Sequence, residues 1–273
     1  MQTRAMTEAD LPRAAALSAA AGWNQTEADW RLFLDGGTVR VVDDGDPACL
    51  AASAGVLRHG PDAAWISMVL VRPDRRRAGL ATALMGWAVA AASGIACVAL
   101  DATPAGRPVY ARLGFGDAFG FARWRVAAPL QAPAIGVRPM TEADWPAVAA
   151  LDAAAFGAPR EAMLRSFAAR LPGAAWMASD GSGYALGRDG RLAPQIGPVV
   201  TGNAATGLAL LAAAQRGIGG PFVADIADTA AEAIAALTRA GAEQLRPFTR
   251  MTLGAPPPGD AARLIAMGGP EVG

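Results

Sequence analysis

The apolar residues of this chain follow two periods. Beyond Gly79, the positions Leu80, Leu84, Trp87, Ala88 and Ala91 fall on one face of a helix. Earlier, apolar runs at residues 39–43, 49–57 and 64–71 have the length and alternation of strands. A short strand opens the chain. Thr7 then stands as N-cap of a first helix, with Asp10 three residues on in the manner of a capping box. A second helix is expected over residues 26–34. After the helix that starts at Leu80 come a continuous apolar strand at 95–102, a helix around 104–113 and a closing pair of strands ending at Val126. A mixed sheet with helices on both faces fits this order.

The pattern then repeats. "RAMTEADLP" at Arg4 to Pro12 returns as "RPMTEADWP" at Arg138 to Pro146, 134 residues further on. Thr141 and Asp144 restate the capping box, and 160–170 restates the second helix. The runs 174–179, 183–188 and 193–200 restate the strands. "FARW" at Phe121 to Trp124 is answered by "FTRM" at Phe248 to Met251. A period this long is too large for a solenoid. It predicts two tandem domains of one α/β (α+β) fold, residues 1–130 and 131–273, joined near 127–136.

Composition narrows the class. The 273 residues are 53% hydrophobic and 18% charged, with 24 basic and 24 acidic side chains. Mean hydropathy of +0.26 reflects alanine content, and the longest apolar stretch, 87–100, is interrupted by Ser93 and Gly94. No signal peptide or membrane span is visible, so a cytoplasmic protein with no membrane association is expected. Every basic residue is arginine, and zero net charge gives no field for a nucleic-acid partner. Cys49 and Cys97 lack metal or redox spacing and read as buried thiols. The one histidine, His59, sits in "RHGPD", which reads as a solvated turn. Multi-histidine metal chemistry is thereby disfavoured, and no metal is expected.

The most unusual stretch is "VRPDRRRAGLATAL", residues 71–84. Three arginines stand against the first turn of a helix, where the dipole favours anions instead. Taken alone, the run reads as a solvated charged turn. The other reading is an anion site, with unsatisfied N–H groups at the helix start and arginines as countercharge. The spacing R-x-x-G-x-A (Arg76, Gly79, Ala81) after "V-x-P" resembles the acyl-CoA pyrophosphate loop of the GNAT acetyltransferase superfamily. "PVYARLGF" at Pro108 to Phe115 resembles that family's Y-x-x-L-G-F segment, and a strand separates the two. "AGWNQ" at Ala21 to Gln25 and "LDATPAGRP" from Leu100 look like a bacterial tandem-domain branch of the superfamily.

The resemblance implies two GNAT folds, each a mixed, mostly antiparallel sheet flanked by helices. It implies acetyl-CoA as co-substrate and transfer of its acetyl group to a primary amine of a small molecule or peptide in a ternary complex. Met68, Val69, Leu70 and Val71 would splay from the neighbouring strand and meet the pantetheine arm. Arg76, Arg77, Ala78, Gly79, Leu80, Ala81 and Thr82 would cradle the pyrophosphate. Tyr110 would protonate the leaving thiolate. Trp23, Asn24, Asp29 and Asp101 are the candidates for acceptor contact, Trp23 being equally readable as a core plug. No general base is evident. Arg75 falls outside the motif spacing and reads as a solvated bystander.

The second half departs from the motifs. Aligning Gly207-Leu208-Ala209 with Gly79-Leu80-Ala81 leaves no arginine in the loop, and Leu237 takes the place of Tyr110. That half is expected to keep the fold without efficient transfer. A non-catalytic acyl-CoA sensor or interaction module is the alternative for the whole chain, which is expected as a monomer or homodimer.

Overall fold

The computed structural model describes residues 2–273. The first half runs β1 (Gln2–Ala5), α1 (Leu11–Ala20), α2 (Glu27–Gly36), β2 (Gly37–Asp43), β3 (Ala52–His59), β4 (Ala63–Val71), α3 (Leu80–Ala91), β5 (Cys97–Ala102), α4 (Arg107–Ala111) and β6 (Gly116–Val126). The second runs β7 (Val137–Pro139), α5 (Trp145–Phe156), α6 (Glu161–Arg170), β8 (Trp176–Ala178), β9 (Gly183–Arg188), β10 (Gln195–Thr201), α7 (Ala204–Ile218), β11 (Phe222–Ala227), α8 (Ala231–Arg239), β12 (Glu243–Gly254) and β13 (Leu264–Met267). Among the described residues, no helix is long and apolar enough to cross a membrane.

The repeated motif is a repeated piece of structure. Asp10 accepts from the Thr7 backbone N–H at 2.9 Å and from Arg4 at 2.7 Å. Asp144 accepts from Thr141 N–H at 2.7 Å and from Arg138 at 2.6 Å. The Arg4 hydrogen bond holds the Asp10 carboxyl down to about 2, against the opposing effect of burial. In both copies the box closes a single 3-10 turn, which leads into a helix carrying proline in its first turn.

The described strands form one thirteen-stranded sheet in the order β1-β2-β3-β4-β5-β12-β6-β11-β13-β10-β9-β8-β7. Among them, only β4–β5 and β10–β11 pair in parallel. The halves interlock at the centre: β12 lies between β5 and β6, and β6 lies between β12 and β11. Each half therefore closes around a strand of the other. The closing hairpin expected before Val126 is instead one long strand, with its partner supplied from more than a hundred residues away. Gly120, mid-strand, marks a close approach rather than a turn: a Cβ there would meet Asp228 Oδ2 at 2.1 Å.

Phe121 stacks on Phe248 across the exchange at 5.1 Å, and the buried Arg123 makes two hydrogen bonds, of 2.8 and 2.7 Å, with Asp225. One hydrophobic cluster runs from Met6 to Val272 through both halves. The helix expected at 104–113 shrinks to the five residues of α4. Pro104 and a turn closed by Thr103 and Gly106 occupy what precedes it.

His59 is not in a solvated turn. It ends β3 at 3% exposure, edge-on to Phe156 at 5.0 Å and to Trp65 at 6.3 Å. Cys97 is buried in β5, but Cys49 is half-exposed in the bend before β3.

Candidate active site

A parallel pair of strands that stops pairing before it ends must open a cleft. β4 and β5 pair only from Ala63–Cys97 to Trp65–Ala99, while β4 continues to Val71 and β5 to Ala102. The β3–β4 register also shifts at this point, and Met68 adopts φ +53. Such a conformation costs a non-glycine residue about 1–2 kcal/mol, so the surroundings must fix it. Ser53 does so in part, donating its hydroxyl to the Met68 carbonyl at 2.7 Å. Met68 and Leu70 bury their side chains in the core, whereas Val69 and Val71 are half-buried. The strand thus offers the cleft its backbone edge.

At the end of β4 the turn is built by arginines outside the expected set. Arg72 pairs with Asp44 at 2.7 Å, Asp46 at 3.0 Å and Asp74 at 2.7 Å. Arg75, expected as a bystander, pairs with Asp44 at 2.7 Å and helps hold the turn. Arg76 and Arg77 are exposed and meet no carboxylate among the described residues. Gly79 caps α3 at φ +74, and the space a Cβ would take is empty to 4 Å. Ala78, Ala81 and Thr82 are exposed and Leu80 half-exposed, so the first turn of α3 presents open N–H groups beside two uncommitted guanidiniums. A diphosphate fits that donor set.

The cleft opens into a cavity of about 380 Å³. Ser67, Met68, Leu100, Asp101, Thr103 and Tyr110 line it from the first half; Leu192, Ala193, Leu245, Arg246, Phe248 and Glu271 line it from the second. Tyr110 packs on Phe115 at 6.4 Å, and Gly106 makes room for its ring, since a Cβ there would meet Tyr110 Cε2 at 2.9 Å. Burial raises the Tyr110 phenol above its ordinary value, which already leaves it protonated at neutral pH.

The four acceptor candidates separate. Trp23 is half-buried, lining the cavity while packing on the core. Asn24 lines the cavity but its amide is committed. Nδ2 donates to the Ala193 carbonyl at 2.9 Å, and Oδ1 accepts from the Leu192 and Ala193 N–H groups at 2.8 and 3.1 Å. It clamps the second half's loop over the cavity. Asp101 lines the cavity with both oxygens held by Arg250 at 2.9 Å; burial raises its carboxyl against the pull of that arginine.

Asp29 is not in the cavity. Completely buried, it completes the capping box with Thr26 and pairs with Arg170 and Arg188 of the second half. Burial pushes its carboxyl up, and Arg188 and Arg170 outweigh that effect. Its role is to join the halves. Sequence reasoning passed over Arg246 and Glu271, because nothing local ties a residue in the second half to Tyr110.

The second half handles its own cleft differently. β10 and β11 pair at one position, Gln195–Val223, and then diverge, but β13 fills the gap and pairs with both. Its Ile265 rests on α7, where a Cβ on Gly207 would come within 2.7 Å of Ile265 Cγ1. Asn203 caps α7 with its own side chain, accepting from Thr206 N–H at 3.0 Å, and Thr206, Gly207 and Leu208 are buried. Leu237 is a core residue of α8. The cleft is closed by the chain's own last strand as well as lacking arginines.

The comparisons agree with this duplicated architecture. Residues 8–115 match the model of the acetyltransferase (GNAT) family, and residues 148–266 match that of an acetyltransferase (GNAT) domain. The chain is a tandem GNAT protein. No curated protein sequence matches it. A putative acetyltransferase from Pyrococcus horikoshii superimposes with a TM-score of 0.82 at 18% identity, covering 100% of this chain and 95% of that one. A tandem GNAT protein from the clavulanic acid biosynthesis pathway gives 0.62 at 16% identity, covering 92% and 98%. A GCN5-related N-acetyltransferase from Sphaerobacter thermophilus gives 0.58 at 18%, covering 93% and 97%. At these identities the likenesses speak for the fold. Membership in the GNAT family makes acyl-CoA-dependent N-acyl transfer the class of activity. Among the described residues of this tandem GNAT chain, no group of three or more His, Cys, Asp or Glu is placed to hold a metal ion.

Proposed function

We propose that the chain is an acetyl-CoA-dependent N-acetyltransferase with one active centre, in the first GNAT half, acting on a primary amine by direct attack in a ternary complex. The observation that carries this reading is the contrast between the clefts. The first is open to a cavity holding Tyr110, and the second is filled by β13. Arg76, Arg77 and the N–H groups of residues 78–82 would hold the diphosphate, and the free edge of β4 beyond Trp65 would pair with the pantetheine arm. Bound acetyl-CoA supplies the activated acyl group. Tyr110, a half-buried phenol that carries its proton at neutral pH, is the group able to give a proton to the departing thiolate. Ile66 and Phe248 give the cavity buried apolar walls. The second half supplies the far wall of the cavity, and the domains divide near residue 130.

The test is thiol release from acetyl-CoA with a panel of amines, for the wild type and Tyr110→Phe. The variant should lose roughly 10²-fold in kcat with CoA affinity unchanged. Equal rates would remove Tyr110 from the chemistry. Tight CoA binding with no turnover on any amine would favour a non-catalytic acyl-CoA-binding module.

A further inference from the structure

The charges around the cavity leave a remainder. Asp101 is paired with Arg250, Arg123 with Asp225, Glu271 with Arg188, and Arg125 with Glu243. Arg246, alone of the charged residues that line the cavity, has no carboxylate partner among the described residues. It is half-buried on β12, just past a register shift at Gln244–Arg246, with its guanidinium 5.2 Å from the centre of the Phe248 ring. Burial, and then the like charge of Arg123, lower it from its ordinary value against a smaller raising effect of Asp225, whose oxygens are already held by Arg123 and Gln195. No residue of the 72–82 turn lines the cavity, so Arg246 is not part of the diphosphate end.

We infer that the acceptor is an amine that also bears a carboxylate, and that Arg246 binds this carboxylate inside the cavity. The inference rests on the transfer reading for the word acceptor, but the anion subsite stands on the geometry. A guanidinium fork matches a carboxylate with two parallel hydrogen bonds, and the Phe248 face holds its plane. One positive charge without an ion-pair partner balances a carboxylate, whereas a phosphate dianion would carry one negative charge more than Arg246 matches. Amino acids are the class that fits.

The experiment compares α-, β- and ω-amino acids with their primary amides, in wild type, Arg246→Met and Arg246→Lys. Turnover is read by thiol release, and binding is read by calorimetry on CoA-saturated protein. The wild type should prefer the free acid of at least one pair by roughly 10- to 100-fold in kcat/KM. Arg246→Met should abolish that preference by raising KM for the acid far more than for the amide, leave CoA affinity unchanged, and melt as the wild type does. Lysine should restore part of the preference. Acid-selective binding without turnover would uphold the subsite and refute the transfer reading. Equal use or binding of acids and amides, or a preference that survives Arg246→Met, would overturn the subsite.

Discussion

Acidification should destabilise this protein through its one histidine. His59 is enclosed by Phe156 and Trp65, and its Nε2 is buried without a hydrogen-bond partner among the described residues. Burial first, and then the charge of Arg160, pull its imidazole from 6.5 down to about 3. A value depressed in the folded state means that the unfolded chain takes up the proton first. The stability is therefore complete above 6.5 and is lost as pH falls from there toward 3. Each pH unit in that window costs about 1.4 kcal/mol, so the step from pH 7.5 to 5.0 removes about 2 kcal/mol through His59 alone. Urea unfolding of the wild type and His59→Phe at both pH values isolates the effect, because the carboxylates titrate alike in both proteins. The variant should lose about 2 kcal/mol less than the wild type over the step. The single histidine ring resonance should stay neutral down to pH 5. Equal losses, or a resonance titrating near 6.5, would refute the burial of His59 between the halves.

Three substitutions probe other joints. Asn24→Ala removes both sides of the clamp on Leu192 and Ala193 and should cost about 1–3 kcal/mol in urea unfolding, since two N–H groups lose their acceptor. The two glycines that align between the halves should behave oppositely. Gly79→Ala meets open space at φ +74, so it should cost only about 1–2 kcal/mol of stability while weakening CoA binding in a calorimetric titration. Gly207→Ala drives a methyl into Ile265 and should cost about 1–3 kcal/mol by overpacking, with CoA affinity unchanged.

What the sequence made legible was local or duplicated. The Thr7–Asp10 and Thr141–Asp144 boxes, the helix after Gly79 and the apolar runs of β3 to β5 each follow from spacing within a dozen residues. The strand exchange did not, because nothing near Val126 records that β12 will insert beside it. β13 was invisible for a related reason: four apolar residues near the end of a chain become a strand only where β10 and β11 diverge. His59 and Asp29 were misread because each is buried by the opposite half. A turn-like "RHGPD" looks solvated, and a helix-start carboxylate looks free to meet an acceptor, until Phe156, or Arg170 and Arg188, arrive from a hundred residues away. Arg246 became visible as the unmatched charge only after its neighbours' pairings were known.

The central claim is that one of two homologous clefts is open. Calorimetric titration of the purified chain with CoA measures it directly, in the wild type and in Arg76→Glu combined with Gly79→Glu. The account predicts one site per chain, lost in the double variant while the fold survives. Two sites per chain, or one site untouched by the double variant, would contradict it.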